Sequence, residues 1–483
     1  MRPSARRLGD RVVRRARQQE LAPVRVRVHR RRRFAPPAST SALLTLTLGF
    51  AGLIAAGTVL LMLPPASVDP GRADWLTALF TATSATCVTG LVVVDTATYW
   101  SGFGQGVIIA LMFLGGLGIM SAGVVVLTAI GRRISLNQRL LVRETMGSSS
   151  LGSVVQLGRN ILWFALAVQA VGTLVLFLRF AIQYPLGQAA WDALFHTVSA
   201  FNNAGFTIFK GSASLEGYQT DPWTLGIIGL LIVLGGISFP VVAELARRRR
   251  PSRWTLDTRL VITGTLALWG AGAVTMLLFE LHNPATLGTL GWVDRIGNAT
   301  FQAVTARTAG FSSIDFSATR PGNDFLFMVL MFIGGASGSA AGGIKVNTFM
   351  VLLVAGLASV RGRERAEFAG REIPYPQVAR ALAILLLSIV VLSIVVVTLA
   401  ITELDGVEQG RFGFLSVLFE AVSALGTTGL SRGVTPYLSD AGKITITVAM
   451  YLGRLGPLTV ALGLALRERR AVYRYAQERV RIG

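Results

Sequence analysis

The chain has 483 residues, of which 52% are hydrophobic and 15% are charged, and its formal net charge is +21. A mean hydropathy of +0.57 is too high for an ordinary soluble globular protein. The single cysteine excludes an internal disulfide, and the sequence contains no metalloprotease, serine-hydrolase or phosphate-loop motif. These features predict a polytopic membrane protein that is not an enzyme.

Eight apolar stretches reach the length of about 20 residues that a membrane span requires. They cover residues 41–63, 103–131, 157–183, 223–246, 256–281, 324–360, 376–402 and 441–467. Arginines crowd the first 33 residues and follow every second stretch, whereas acidic residues dominate the remaining connections. Because cytoplasmic loops carry an excess of Lys and Arg, both termini are predicted to be cytoplasmic.

A short apolar segment that ends in glycine recurs in the four outer connections. The copies read ALFTATSATCVTGL (78–91), ALFHTVSAFNNAGF (193–206), ATFQAVTARTAGF (299–311) and VLFEAVSALGTTGL (417–430). A phenylalanine stands ten residues before the glycine in three copies and nine in the third, so we expect one residue to be missing near Arg307. Each copy carries two spans and keeps the same orientation, and parallel repeats favour an axis along the membrane normal.

The predicted fold is therefore all-α, with eight spans and four re-entrant half-helices in four parallel repeats around a pseudo-fourfold pore. The repeats cover 41–131, 157–246, 256–360 and 376–467, between a basic cytoplasmic arm (1–40) and a cytoplasmic tail (468–483). GGASGSAAGGIK (334–345) interrupts the second span of the third repeat and is too rich in glycine for a stable helix. We expect an intramembrane loop there.

Four short strands that meet at an axis can replace the water shell of a cation with backbone carbonyls. Glycine permits the necessary backbone angles, and the negative ends of the half-helix dipoles favour a cation. The predicted filter residues are Cys87, Val88, Thr89 and Gly90; Asn202, Asn203, Ala204 and Gly205; Thr308, Ala309 and Gly310; and Gly426, Thr427, Thr428 and Gly429. They form no acidic ring, which argues against divalent selectivity.

Six motifs resemble those of the Trk/Ktr/HKT superfamily of potassium transporters, and most closely its KtrB-type membrane subunit. They are SATCVTGLVVVDT, SAFNNAGF, TARTAGF, SALGTTGL, GGASGSAAGGIKV and GRLGPLT, and the similarity covers residues 40 to 467. The resemblance implies a potassium pore in the bacterial inner membrane, a homodimer with one pore per subunit, and a cytoplasmic KtrA-like ring of nucleotide-binding regulatory domains. Glycine at all four filter positions favours potassium, since relatives with serine in the first copy pass sodium.

A charged residue replaces a glycine beneath the fourth strand. Arg454 is predicted to bind carbonyls of the third repeat's loop and to act as a positive barrier, although packing against a carboxylate or snorkelling is an alternative. The predicted gating residues are Gly335, Ser337, Gly338, Gly342, Gly343, Lys345 and Arg454. Glu420 and Arg307 are expected to brace the filter, and the alternative is that they set the electric field at its mouth. Glu244 and Lys345 are candidates for the gate or a partner surface, or are solvated end charges.

Potassium uptake is thus the predicted function, with potassium as the substrate and no bound cofactor. A sodium- or proton-coupled symporter and a non-conducting membrane scaffold are the alternatives. The basic arm is expected to meet anionic lipid rather than nucleic acid, because no nucleic-acid-binding fold accompanies it. The glycine-rich runs do not follow a strand, so nucleotide binding is expected only in a partner chain.

Overall fold

The structure is a computed structural model that describes residues 38–69, 73–129, 154–210, 214–248 and 250–456. The predicted tail and nearly all of the predicted basic arm lie outside these residues. The described residues form the helices α1 (Ala38–Leu61), α2 (Trp75–Cys87), α3 (Thr96–Tyr99), α4 (Gly102–Ala129), α5 (Val154–Phe180), α6 (Leu186–Phe201), α7 (Pro222–Gly236), α8 (Phe239–Arg247), α9 (Leu256–Glu280), α10 (Trp292–Thr305), α11 (Pro321–Phe332), α12 (Val346–Val360), α13 (Tyr375–Thr402), α14 (Leu404–Glu408), α15 (Phe414–Gly426) and α16 (Asp440–Leu455). Two short antiparallel strands, β1 (Glu367–Phe368) and β2 (Arg371–Glu372), pair between α12 and α13.

Three helical segments in the described part of the chain are long and apolar enough to cross a membrane. They are Gly158–Phe180, Leu256–Glu280 and Tyr375–Thr402. A fourth span results if α7 and α8 are counted together across the bend of 100° between them. The other stretches form shorter apolar helices: Thr47–Leu61, Gly102–Gly118, Pro321–Phe332, Val346–Val360 and Phe414–Gly426.

Two predicted spans are not continuous helices. The stretch 223–246 breaks after Gly236, where the proline in the first turn of α8 offers no backbone N–H to continue α7. The stretch 324–360 breaks between Phe332 and Val346, as the glycine-rich segment predicted. In addition, Gly118 has a non-helical φ of 73° inside α4.

Four clusters of buried apolar side chains connect the described parts of the predicted repeats in a closed order. One cluster joins the first and second repeats, for example through Leu111 and Phe206, and another joins the second and third through Leu231 and Phe311. A third joins the third and fourth repeats, and a fourth joins the fourth repeat back to the first. The core is therefore distributed around a centre, at which the ends of α2, α6, α10 and α15 meet.

Candidate functional site

The four half-helices are followed by the same backbone conformation. The glycine of each motif has a left-handed φ: 93° at Gly90, 71° at Gly205, 77° at Gly310 and 92° at Gly429. The expectation that these positions need glycine angles is thus confirmed. Two residues before each glycine, a residue with a side chain is also left-handed, namely Val88 (58°), Asn203 (57°), Thr308 (72°) and Thr427 (49°). This second position was not predicted, because the four residues do not share one side-chain type.

The four glycines contact one another in a closed ring. A Cβ atom on Gly205 would lie 2.8 Å from the carbonyl oxygen of Ala309, and one on Gly310 would lie 2.5 Å from that of Thr428. A Cβ on Gly90 would overlap the carbonyl oxygen of Ala204, and one on Gly429 would overlap that of Thr89. In each case the carbonyl belongs to the residue before the next glycine, so the order 90, 205, 310, 429 returns to its start.

The short segment that ends in each ring glycine, the strand of that copy, makes a recurrent backbone hydrogen bond to its own half-helix. In three copies this bond spans five residues: Thr89 N–H donates to Ser84, Ala204 to Ser199 and Thr428 to Ser423, each at 2.8 Å. In the third copy Ala309 N–H donates to Thr305, four residues earlier, at 2.9 Å. The third copy therefore lacks its residue between Thr305 and Ala309, beside Arg307 as predicted.

Serine hydroxyls add a second link that the sequence reasoning missed. Ser84 Oγ accepts from Gly90 N–H at 3.1 Å, and Ser423 Oγ accepts from Gly429 N–H at 3.0 Å. Ser199 Oγ instead donates to the carbonyl of Phe206 at 2.7 Å. The signal was present in the motifs, because a serine stands six residues before the glycine in these three copies. All the predicted filter residues are buried.

Glycines of the second helices pack directly against the half-helix ends. A Cβ atom on Gly115 would lie 2.8 Å from the carbonyl carbon of Thr86, and Gly235 has the same distance to Phe201. Gly453 would come within 2.9 Å of the carbonyl carbon of Leu425. Each of these carbonyls is four residues before a ring glycine. The absence of a side chain at these glycines therefore lets the second helices pack closely against the half-helix ends.

The third copy differs, because its loop folds under the ring. Gly334 N–H donates to Ile344 O at 2.7 Å, which brings the two ends of the loop together. A Cβ on Gly343 would lie 3.2 Å from the carbonyl oxygen of Gly426, and one on Gly342 would lie 3.0 Å from Thr427 Cβ. Loop 334–345 thus lies against the base of the fourth strand, and Gly334 lies against Thr308 of the third.

The freed end of α7 supports the same loop. Because α7 stops at Gly236, the carbonyls of its last turn have no partner in the next turn. Ala336 N–H donates to Gly236 O at 3.1 Å, and Ala340 N–H donates to Gly235 O at 3.2 Å. The bend in the second repeat and the loop in the third are therefore parts of one arrangement.

Three cationic side chains bind carbonyls of the loop. Arg454 donates to Ala340 O, the predicted kind of partner, and also to Gly115 O of α4. Lys345 Nζ donates to Ala341 O. Arg307 Nη2 donates to Gly334 O at 2.5 Å, so its described contact is with the loop and not with the filter that it was expected to brace. The carbonyls of the loop have no helical N–H partners, and these three charged side chains donate hydrogen bonds to them instead.

Two carboxylates hold connecting segments. Glu420 Oε1 accepts from Ser431 Oγ at 2.6 Å and from Arg432 N–H at 3.0 Å, and Oε2 accepts from Thr435 Oγ1 at 2.6 Å. It therefore fixes the segment after Gly429, in line with the expected bracing role.

Glu244 has a similar role in the connection between α8 and α9. Its carboxylate accepts from Thr255 Oγ1 at 2.7 Å and Thr258 Oγ1 at 2.6 Å and pairs with Arg248 at 3.1 Å. Glu244 thus joins the end of α8 to the start of α9 and is not a solvated end charge.

Comparisons with known proteins agree on one class. The TrkH family model, described as a cation transport protein, matches residues 19–472. Ktr system potassium uptake protein B of Bacillus subtilis is 40% identical over 436 residues, covering 90% of this chain and 94% of that protein. The potassium/sodium uptake protein NtpJ of Enterococcus hirae is 35% identical, with 90% and 96% covered. The crystal structure of the potassium transporter TrkH from Vibrio parahaemolyticus matches with a TM-score of 0.69 at 20% identity, covering 89% and 86%.

A mostly helical chain with membrane-length apolar helices and this fold is an integral membrane cation transporter, and not an enzyme. The chain belongs to the TrkH family of cation transport proteins and is of the KtrB type within it.

Proposed function

We propose that the chain conducts potassium inward through the ring formed by Gly90, Gly205, Gly310 and Gly429. The observation that carries the proposal is the closed contact of each glycine with the carbonyl before the next. Such a ring offers neutral oxygen ligands around one axis, and these replace the hydration shell of a monovalent cation. Relatives named as potassium uptake proteins cover nearly the whole chain, which supports potassium as the substrate.

The same proposal includes the arrangement of the helices around the ring. We assign α2, α6, α10 and α15 as re-entrant half-helices between eight spans, in four parallel repeats, with both termini cytoplasmic. The cyclic order of the four core clusters supports this assignment. Because the C-terminal ends of the half-helices meet at the ring, their dipoles favour a cation there.

Loop 334–345 acts as the gate below the filter, and Arg454 is the positive barrier that holds it closed. The contacts of the loop with Thr427 and with the Arg454 guanidinium support this role. Deleting residues 336–341 is expected to raise potassium flux, and unchanged flux would reduce the loop to a packing kink.

The chain works as a homodimer in the bacterial inner membrane with a cytoplasmic ring of nucleotide-binding regulatory domains. The Ktr system name of two relatives supports a partner subunit. The basic segments of this chain, such as RRRRPSR (247–253), suit anionic lipid at the cytoplasmic surface.

Uptake by a potassium-uptake-deficient bacterial host tests the function. The wild-type chain is expected to restore growth at low potassium, whereas Gly310→Val places a side chain against Thr428 O and should abolish uptake. Gly52→Ala is the matched control, since nothing lies within 4 Å of its added Cβ. Failure of the wild-type chain to restore uptake in the presence of its regulatory partner would favour a scaffold.

The same preparation separates a channel from a symporter. In proteoliposomes at fixed voltage, potassium flux through a channel should not depend on a sodium or proton gradient. If potassium flux changes with either gradient, the protein is a coupled symporter and not a channel.

A further inference from the structure

The side chain of Asn347 connects the intramembrane loop to another helix. Asn347 lies in the first turn of α12, and its Nδ2 donates to Asp257 Oδ1 in the first turn of α9. Its Oδ1 accepts from the backbone N–H of Ser337 at 3.1 Å. One amide therefore joins a carboxylate of α9 to the backbone of the loop, by a donor on one side and an acceptor on the other.

Ser337 lies in the part of the loop where a tether has the most effect. Residues 334–336 are buried against the rest of the protein, whereas Ser337 and Gly338 are exposed. Gly338 also has a left-handed φ of 79°, which a glycine adopts and leaves at little cost. The cationic contacts hold Gly334, Ala340 and Ala341, on either side of this exposed tip. Asn347 holds the tip itself.

The outer end of the tether is accessible. Asp257 is exposed and lines a cavity of about 390 Å³ together with Asn347, Gln377 and Arg380. The cavity lies between the first turns of α9, α12 and α13, next to the basic connection that precedes α9. The carboxylate that anchors the tether can therefore be reached without entering the ion pathway.

We propose that Asp257 and Asn347 are positioning residues that hold the tip of loop 334–345 in its closed arrangement. This rests on the proposed gating role of the loop. Neither side chain contacts the ring glycines, and both act through the Ser337 N–H. Release of the tether therefore changes how often the loop opens and leaves the filter as it is.

Potassium flux in proteoliposomes at fixed voltage measures the effect. Asp257→Ala removes the outer hydrogen bond of the tether, and Asn347→Ala removes both of its hydrogen bonds. Either variant breaks the link, so each is expected to raise the maximal flux at least about fivefold, the equilibrium change typical of one hydrogen bond. The potassium concentration at half-maximal flux and the potassium-to-sodium ratio should not change. Asp257→Asn retains an acceptor oxygen and should stay close to wild type, which also guards against a variant that fails to fold.

An exchange of the two residues gives the sharpest test. Asn347→Asp alone faces Asp257 with a second carboxylate and should raise flux at least as much as Asn347→Ala. When it is combined with Asp257→Asn, the new amide on α9 donates to the new carboxylate on α12, whose other oxygen still accepts from Ser337 N–H. The link is thereby re-formed with its polarity reversed, so flux should return to the wild-type level. Gln377→Ala is the control, because Gln377 lines the same cavity as Asp257 and Asn347 but takes no part in the tether.

The deletion of residues 336–341 distinguishes this proposal from the gate itself. In that background Asn347→Ala should add nothing, since the N–H it binds is gone, and an additive effect would overturn the tether. If the deletion leaves flux unchanged, the gate fails and the tether with it. Two results would overturn the tether and leave the gate standing. In one, the deletion raises flux but Asn347→Ala does not. In the other, the combined variant Asn347→Asp with Asp257→Asn keeps a flux above the wild-type level.

Discussion

The glycine ring and the layer beneath it differ in how closely the four copies resemble one another. At the ring, every copy has a left-handed residue followed two positions later by a left-handed glycine. Beneath it, the first copy has a non-helical Gly118, the second a bend of 100°, the third a loop, and the fourth an arginine. The copies therefore share one backbone conformation at the ring and differ from one another in the layer beneath it.

This difference separates two requirements. In the proposed filter, four strands must offer equivalent oxygens to one small ion, so a substitution in one copy alters the site that all four form. A gate needs only one element that has two arrangements, and a symmetric set of four would have to move together. The contacts between α7, loop 334–345 and Arg454 link the second, third and fourth copies into one asymmetric assembly. Selectivity and gating are therefore expected to respond to different substitutions.

The largest effect is expected from Gly429→Ala in the ring. The φ of 92° is strained for alanine, and the new methyl group overlaps the carbonyl of Thr89. We expect potassium uptake to fall about tenfold or more, as overpacking typically costs about 1–3 kcal/mol, and the potassium-to-sodium ratio to drop. Uptake of both ions measures this. Gly433→Ala is the control, since its φ is 78° but no atom lies within 4 Å of its Cβ.

Arg454→Ala is expected to have the next largest effect, in the opposite direction. The substitution removes the donors to Ala340 O and Gly115 O, and hydrogen bonds from charged groups are worth about 1.5–3 kcal/mol each. Loss of even one of these bonds shifts the opening equilibrium about tenfold, so flux should rise at least about tenfold with unchanged ion selectivity. The flux of Arg454→Lys, which keeps the charge, should lie between those of the wild type and Arg454→Ala. A folded Arg454→Ala protein with wild-type flux would remove the barrier role.

Glu420→Ala should affect stability more than transport. It leaves the Ser431 hydroxyl, the Arg432 N–H and the Thr435 hydroxyl without their acceptor, at about 1–3 kcal/mol for each buried group that stays unpaired. Thermal unfolding in detergent should show a lower midpoint, and Glu420→Gln should recover part of the loss. A large change in selectivity with unchanged stability would mean that Glu420 acts on the ion instead.

The sequence was sufficient for the features that repeat along the chain. The short helices before the four glycines, the left-handed glycines themselves and the residue missing near Arg307 were all predicted from four short motifs. The contact of Arg454 with the third-repeat loop was also predicted, because a buried arginine and a backbone without helical partners need each other.

The remaining features depend on neighbours that are distant in sequence. Val88 is β-branched and disfavours a left-handed φ on its own, so its conformation is imposed by the strands around it. Arg307 meets its partner, the carbonyl of Gly334, only because the loop folds beside it. The bend after Gly236 likewise leaves two backbone carbonyls free, and their hydrogen-bond partners are amides of the distant loop. No local sequence pattern predicts such long-range contacts.

The smallest effect on transport is expected from Gly115→Ala, which changes the packing beneath the ring without touching it. Its methyl group would press on the carbonyl of Thr86, so the free energy of unfolding should fall by about 1–3 kcal/mol. Gly106→Ala in the same helix is the control, since its Cβ meets nothing within 4 Å. Unfolding in detergent and the potassium-to-sodium uptake ratio are measured together. Because Thr86 belongs to the half-helix and not to the strand, the ratio should stay at its wild-type value. A changed ratio would mean that the ring takes its shape from the layer beneath, and the two regions would then have to be treated as one.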